Sequence, residues 1–292
     1  MIDLHTHSVV SDGTDTPEEL VAAAAAAGLS VVALTDHDTF AGLGAAGAAG
    51  ERLGIEVVPG MELSCSREGH SVHLLAYGAD PTDRALAEEM ARVRDGRSSR
   101  LRPVLAKLAE LGVPVTEESV LSFVGGSPSV GRPHIADALV AAGHVKDRKE
   151  AFDRFLADGG PAHVARYTIE VGRGIDLVHG AGGVAVIAHP WGRGREDLLR
   201  AQVLEQLVAG HGLDGIEVDH QDHDEDARAG LRALVARLGV LGTGSSDYHG
   251  TGKTDHQLGV NVTDPETYAR LRELMTARAS ERARRSSEWL TG

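Results

Sequence analysis

Short β-branched runs alternate with Ala- and Leu-rich stretches through most of this chain, and no other feature limits its fold so tightly. The runs at 2–4, 31–34, 55–58, 72–76, 184–188, 215–218 and 240–242 read as strands. Residues 16–27, 42–53, 196–209 and 224–238 read as helices. The first helix opens Thr-Pro-Glu-Glu, with a capping Thr16, Pro17 at the first helical position and two early carboxylates, and it stops at Gly28. Alternation of this kind predicts parallel strands with helices packed outside them. It fails between 82 and 160, where no strand pattern occurs and 84–111, 133–142 and 149–156 read as amphipathic helices. The expected organisation is an α/β barrel over 1–81 and 161–275, interrupted by a helical insertion over 82–160. A tail over 276–292 is expected as a last helix or a frayed end, with Arg282, Arg284 and Arg285, beside Ser286 and Ser287, on a solvated face.

The chemistry-bearing residues fall where those strands end. His5 and His7, in D-L-H-T-H, follow the first run, with Asp12 in the same loop. Asp36, His37 and Asp38 follow the second run and Glu62 the third, while His73 lies in the fourth. His189 ends the fifth as A-H-P, Asp219, His220 and His223 follow the sixth, and Asp247 and His249 follow the seventh as D-Y-H. In a parallel barrel every C-terminal strand end opens on one face, so residues far apart in the chain meet there. Side chains at i and i+2 of an extended segment share a side, so His5 and His7 can grip one ion. One H-x-H or one loop carboxylate means little alone; the ordered set along the strand ends points to a metal centre. His70, His144, His163, His179, His211 and His256 lie outside that pattern and read as structural or surface residues.

Composition bears on what such a centre serves. The 292 residues carry 29 Lys+Arg against 43 Asp+Glu, a formal −14 with the 15 His neutral, and aromatics are 3%. A general nucleic-acid coat needs a basic face and stacking platforms, which argues against that class. An acidic chain repels phosphorylated ligands unless local cations reverse the field. Cys65 is the single cysteine, so neither an intramolecular disulfide nor a thiolate zinc site is expected. The N-terminus shows no charged segment with an apolar stretch behind it, and no apolar run approaches the ~20 residues of a membrane span. These features point to a reducing cytoplasm.

Taken in order, His5, His7, Ser11-Asp12-Gly13, Thr35-Asp36-His37-Asp38, Gly60-Met61-Glu62, His73, Ala188-His189-Pro190 and Asp247-Tyr248-His249 form a specific series. It resembles the PHP (polymerase and histidinol phosphatase) superfamily, from residue 1 to about 260. Gly-Arg-Pro-His-Ile-Ala at 131–136 and Gly-Gly-Val-Ala-Val at 182–186 resemble the branch that hydrolyses monoesters of nucleotides and 3′,5′-nucleoside bisphosphates. The resemblance implies a distorted (β/α)7 barrel, in line with the seven runs read above. It also implies three divalent ions. His5, His7, Glu62 and Asp247 would hold the first, Glu62 would bridge to a second held by His73 and His189, and Asp12, His37 and His249 would hold the third. Every one of these positions has a competent residue, which argues against an inactive copy.

Donors that are all His or carboxylate suit Mn²⁺, Fe²⁺, Zn²⁺ or Mg²⁺. Clustered divalent ions suit phosphoester hydrolysis: they acidify a water, hold phosphoryl oxygens and offset charge on the departing oxygen. No G-x-S-x-G nucleophile motif occurs, so direct attack by water is the simpler scheme. Asp36 and Asp38 are expected to orient His37. Arg132, just before Pro133, is the expected phosphate-binding residue, because a guanidinium and a helix N-terminus could face one anion. His134 is expected to contact substrate or protonate the leaving group, and Arg166 and His223 are further candidates for substrate contact. Arg97, Arg100 and Arg102 read as a solvated helix face. The expected activity is metal-dependent hydrolysis of phosphate monoesters of small nucleotides, either a 3′,5′-nucleoside bisphosphate or a mononucleotide. No membrane partner and no stable nucleic-acid complex is expected. The alternatives are a histidinol-phosphate phosphatase, a 5′→3′ exonuclease on short RNA, a polymerase accessory module, and a metal-binding protein without catalysis.

Overall fold

β1 (Ile2–Asp3), α1 (Pro17–Ala26), β2 (Val31–Leu34) and α2 (Leu43–Leu53) open the chain as two strand–helix units. A hairpin of β3 (Glu56–Arg67) and β4 (His70–Tyr77) follows. The middle is helical: α3 (Arg84–Ser99), α4 (Leu101–Glu110), α5 (Glu117–Leu121), α6 (Arg132–Ala141) and α7 (Arg148–Ala151), which runs into a π-helical turn at Phe152–Leu156. Alternation resumes with β5 (Ile169–Glu170), α8 (Val171–Gly180), β6 (Val184–Ile187), α9 (Ala201–His211), β7 (Gly215–Asp219), α10 (Glu225–Leu238), β8 (Leu241–Gly244) and α11 (Pro265–Thr291). This computed structural model describes residues 1–192 and 196–291, with side chains to Arg285, so Ser286 and Ser287 of the tail lie outside the described side chains. Among the described residues no helix is long and apolar enough to cross a membrane.

The strands lie in the order β1-β2-β3-β4-β6-β7-β8, with β5 beside β3. Neighbours run parallel except at β4, which is antiparallel to both β3 and β6. The sheet curls into a nearly closed barrel. Beyond the ends of β1 and β8, Thr6 bridges Tyr248, and His7 N donates to Tyr248 O at 2.8 Å. Strand alternation sorts the apolar side chains into two shells. Val31, Val58, Tyr77, Val184 and Leu241 fill the interior, with Leu271 of α11 as part of its floor. The opposite parity faces outward: Val32 and Leu34 onto α1 and α2, and Leu63, Leu74 and Ile187 onto the helices that follow.

The distorted barrel is present, and its distortion is the reversed β4. The expectation that all strands run parallel is corrected there. The sequence reading also ended the third strand before Pro59-Gly60, whereas β3 continues to Arg67. Pro59 pairs with Leu34, the last residue of β2, and from Gly60 onward the partner is β4. A missing N–H is tolerated where a strand changes partner. A Cβ on Gly60 would stand 2.8 Å from Thr35 Cγ2 and 3.2 Å from Leu34 O, so the crossing needs glycine.

The expected helix over 84–111 is two helices, α3 and α4. Pro103 cannot donate to the carbonyl of Ser99, and its ring crowds that carbonyl, so the chain bends at Arg100. Leu86, Met90 and Val93 of α3 join the outer barrel cluster. A second core, with Leu108, Val120, Ile135, Leu139 and Phe155, begins at Leu101. α9 starts at Ala201, five residues later than the pattern suggested. The last helix begins at Pro265, and Arg282 is not solvated: it donates to Asp80 at 2.5 Å and to Asp83 at 3.4 Å. Arg278 donates to Asp214. Both contacts pin α11 against the barrel.

Candidate metal centre

Glu62 is the hub. Its Oε1 lies 2.7 Å from His73 Nδ1 and 3.3 Å from His189 Nε2. Its Oε2 lies 3.3 Å from His5 Nε2, 3.1 Å from His7 Nε2 and 3.1 Å from His37 Nδ1. Asp247 Oδ1 is 3.5 Å from both His5 Nε2 and His7 Nε2. Asp12 meets His249 Nε2 at 3.3 Å and His37 Nε2 at 3.6 Å. The structure thus brings all nine expected ligands onto one face of the barrel. His73 arrives from the N-terminal half of the reversed β4, opposite Ser64 of β3.

These spacings fit shared ions. Atoms about 2.1 Å from one ion stand roughly 3–3.5 Å apart from each other. The ligand atoms of His7, Asp12, His37 and His249 lie within 4.8 Å of one another, as do those of His5, His7 and Asp247, and those of His37, Glu62 and His73. His37 Nδ1 and His73 Nδ1 are buried with no hydrogen-bond partner, although each faces a carboxylate oxygen. A buried orphan nitrogen is costly unless something else fills its lone pair, and a cation does so. The donor set therefore fits divalent metal.

A ring of outer contacts holds these ligands. Glu217 accepts from His5 Nδ1 at 3.2 Å and from the His189 backbone N–H at 2.8 Å. Ser245 Oγ also donates to it. With Nδ1–H committed to Glu217, His5 turns its Nε2 lone pair inward. His249 does the same by donating Nδ1–H to Asp247 O at 2.8 Å. The outer oxygen of Asp247 meets the Lys253 ammonium and, at 3.3 Å, His220 Nε2. His220 Nδ1 accepts from Asp222 N, so the proton sits on the nitrogen that faces Asp247. His256, read as structural or surface, is buried, and its ring lies with His220 and Asp247 in a potential ligand group. The sequence reading missed Glu217 and Lys253. Glu217 sits in G-I-E-V-D, where alternation suggests nothing but an outward charge.

Asp36 and Asp38 do not orient His37 as expected. Asp36 accepts from Ser8 N at 2.8 Å, Ser8 Oγ at 2.6 Å and Ser11 Oγ at 2.6 Å, and so shapes the Asp12 loop. Asp38 accepts from Ser64 N at 2.7 Å and Arg97 Nε at 2.9 Å. Asp38, His189 and Asp247 hold φ of 55°, 31° and 53°, a left-handed backbone that costs energy at non-glycine residues and is kept here at the site.

Burial and charge split the imidazoles into two groups. Burial pushes His37 and His189 down to about 3 and His249 to about 4, so all three offer lone pairs at neutral pH. Burial also opposes charge on His5 and His7, but nearby carboxylates, Glu62 foremost, outweigh it and raise both. The carboxyls of Asp12, Glu62 and Asp247 sit well below the usual range despite burial, held there chiefly by His37, His73 and Lys253 respectively.

The expected substrate contacts fare unevenly. Arg132, at the start of α6, donates to Asp158 at 2.7 Å and to Leu156 O at 2.9 Å. Arg166 is mostly enclosed and gives one N–H to Tyr167 O. His134 Nδ1 accepts from Gly131 N at 3.0 Å and so closes the first turn of α6. His223, expected to contact substrate, has both ring nitrogens engaged within the protein. Its Nδ1 donates to Val218 O and its Nε2 accepts from Trp191 N, which leaves no ring nitrogen for a ligand. Arg97 and Arg100, expected on a solvated face, are each 7% exposed. Arg102 does face solvent and pairs with Glu117.

Residues 3–94 match the PHP domain family. A 3′,5′-nucleoside bisphosphate phosphatase of Chromobacterium violaceum is 36% identical over 261 residues, covering 88% of this chain and 90% of that protein. A 5′-3′ exoribonuclease of Haemophilus influenzae is 33% identical, covering 85% of this chain and 89% of that protein. Among solved structures, one described as a metal-dependent phosphoesterase, from Bifidobacterium adolescentis, matches with a TM-score of 0.87 at 38% identity, over 92% of this chain and 94% of that one.

Proposed function

Because the chain belongs to the PHP domain family, we propose that it is a metal-dependent phosphatase that removes phosphate from a small nucleotide, either a 3′,5′-nucleoside bisphosphate or a mononucleotide. The observation that carries this reading is Glu62, whose two oxygens face two different sets of imidazoles. A carboxylate so placed is suited to bridging two cations. His5, His7, Glu62 and Asp247 would hold a first ion, Glu62, His73 and His189 a second, and Asp12, His37 and His249 a third. Bound there, Mn²⁺, Fe²⁺, Zn²⁺ or Mg²⁺ supplies an acidified water and positive charge for the phosphoryl oxygens. Glu217 keeps His5 in the tautomer that donates inward. Arg132 and Arg166 are the substrate-binding cations, with Arg132 tethered by Asp158. His134 and His223 act by holding loops in place rather than by touching substrate.

The test is a phosphate-release screen of Mn²⁺-loaded protein over nucleoside bisphosphates, mononucleotides, histidinol phosphate and 5′-phosphorylated short RNA. Release from the nucleotides above all others is expected; release from none refutes the reading. Faster shortening of RNA than release from bisphosphates would favour the exoribonuclease activity of the Haemophilus relative. Metal counts test the ligand partition: Glu62→Ala should lose two ions per chain and His37→Ala one.

A further inference from the structure

Two of the three ligands proposed for the third ion, Asp12 and His249, sit on loops that one side chain of the helical segment touches. Arg148, the first residue of α7, reaches across 136 positions of sequence to donate Nη1–H to the backbone carbonyl of Asp12 at 3.0 Å. On its other side it faces the turn that follows His249. A Cβ built on Gly252 would lie 2.3 Å from Arg148 Nη1, and its three nearest atoms would all belong to the guanidinium. Gly252 N donates to His249 O at 3.2 Å, and Thr14 N, two residues after Asp12, donates to the same carbonyl at 3.2 Å. The guanidinium therefore sits in the corner where the two loops meet, and a glycine leaves room for it.

Its charge is matched before it reaches that corner. Asp137 of α6 accepts from Arg148 Nε at 2.6 Å and Nη2 at 2.7 Å, a forked pair that fixes the plane of the guanidinium and leaves Nη1 for Asp12. Both side chains are largely buried. A bare cation beside clustered divalent ions would repel them in a medium that screens poorly. A guanidinium neutralised by a carboxylate delivers a strong donor with little net charge. The helices that carry the pair are anchored in the second core by Leu139 of α6 and Ala151 of α7. The Asp12 carbonyl belongs to the ligand residue itself, so a donor there restrains the backbone that aims the Asp12 carboxylate.

We propose that Arg148 is a positioning residue for the third ion: by tying the Asp12 loop to the turn after His249, it lets the helical segment set that ion's affinity. It acts through the backbone of Asp12 and the turn at Gly252. This rests on the reading that Asp12, His37 and His249 hold the third ion.

Metal binding tests it without turnover. Chelator-treated protein is dialysed against Mn²⁺, and bound metal is counted as free Mn²⁺ rises. Asp12→Ala should bind one ion fewer than the wild type. Arg148→Met combined with Asp137→Asn removes both charges and leaves no unpaired carboxylate. This pair variant should weaken one ion roughly 10-fold or more and leave the others at wild-type affinity. Gly252→Ala pushes the guanidinium off Asp12 and should weaken the same ion; added to the pair variant it should have no further effect, because the methyl then has room. If the pair variant fails to fold, Gly252→Ala alone is read by the same criterion. Wild-type affinity for every ion overturns the role of Arg148, as does equal weakening of all ions, which a general loosening would give. A Gly252→Ala effect of the same size in both backgrounds also overturns it. If Asp12→Ala binds as many ions as the wild type, the assignment of the third ion fails and the proposal with it. An ion lost in Asp12→Ala but held normally by the pair variant sinks the proposal alone.

Discussion

At the scale of single residues, the centre works by fixing which nitrogen of each imidazole faces inward. Glu217 does this for His5, and its contacts to Ser245 and the His189 backbone make it a joint support. Glu217→Gln is expected to weaken metal binding roughly 10- to 100-fold with the fold retained; a chelator competition together with circular dichroism checks both halves. The titration of the metal-free protein follows from the two groups of histidines. His37, His189 and His249 lie below the unfolded value of about 6.5, so below that pH the unfolded chain binds more protons and stability falls as pH drops toward 4. His5 and His7 lie above it, so they contribute stability at 6.5 that is lost as pH rises through their folded values. Denaturant unfolding of chelator-treated protein from pH 5 to 8.5 should therefore peak near 6.5; a monotonic trend contradicts the split. Most of the ligand residues were legible in the sequence because they closely follow an apolar run, whereas Glu62 and His73 lie inside strands β3 and β4. Arg97 was not, since its partner Asp38 lies 59 residues earlier and nothing in R-D-G-R-S-S-R separates a buried arginine from a solvated one.

At the scale of elements, the hairpin of β3 and β4 decides where Glu62 and His73 meet. The direction of β4 was hidden, because H-S-V-H-L-L-A reads the same whichever way its neighbours run. The available signal was Glu68-Gly69, two turn residues between apolar runs, with φ of 51° and 80°. The crossing at Gly60 gives a test. Gly60→Ala puts a methyl against Thr35 and a backbone carbonyl, an overpacking that costs about 1–3 kcal/mol. It should lower the melting temperature and also reduce bound metal, because Glu62 is two residues on. Thermal unfolding and elemental analysis measure the two effects; unchanged metal with lower stability would show that the crossing supports the strand without positioning the hub. The split of the expected long helix was legible in principle from Pro103, which the amphipathic pattern masked.

At the scale of the molecule, the chain holds a barrel and a second apolar core that begins at Leu101, and we propose Arg100 as the boundary between two cooperative units. Leu139→Ala in the second core should cost about 2–5 kcal/mol locally while the metal count stays that of the wild type. Hydrogen exchange should quicken in α4 to α6 and not in β6 to β8; equal quickening throughout would mean one unit. Strand–helix alternation made the barrel legible, but the docking of the second core depends on contacts no local pattern encodes. The bridge between Thr6 and Tyr248 has a consequence for how the molecule is made. One lip of that seam carries His5 and His7, and the other carries Asp247 and His249. On a growing chain the first lip emerges long before the second, because most of the barrel lies between them in the sequence. Contacts so distant along the chain are slow to close, so a nascent chain holds its first strand without a neighbour on that side. An ion that prefers the assembled ligands would seal a finished barrel, and a chain stalled before Asp247 would be left as an open sheet with a bare edge, prone to pair with another like it.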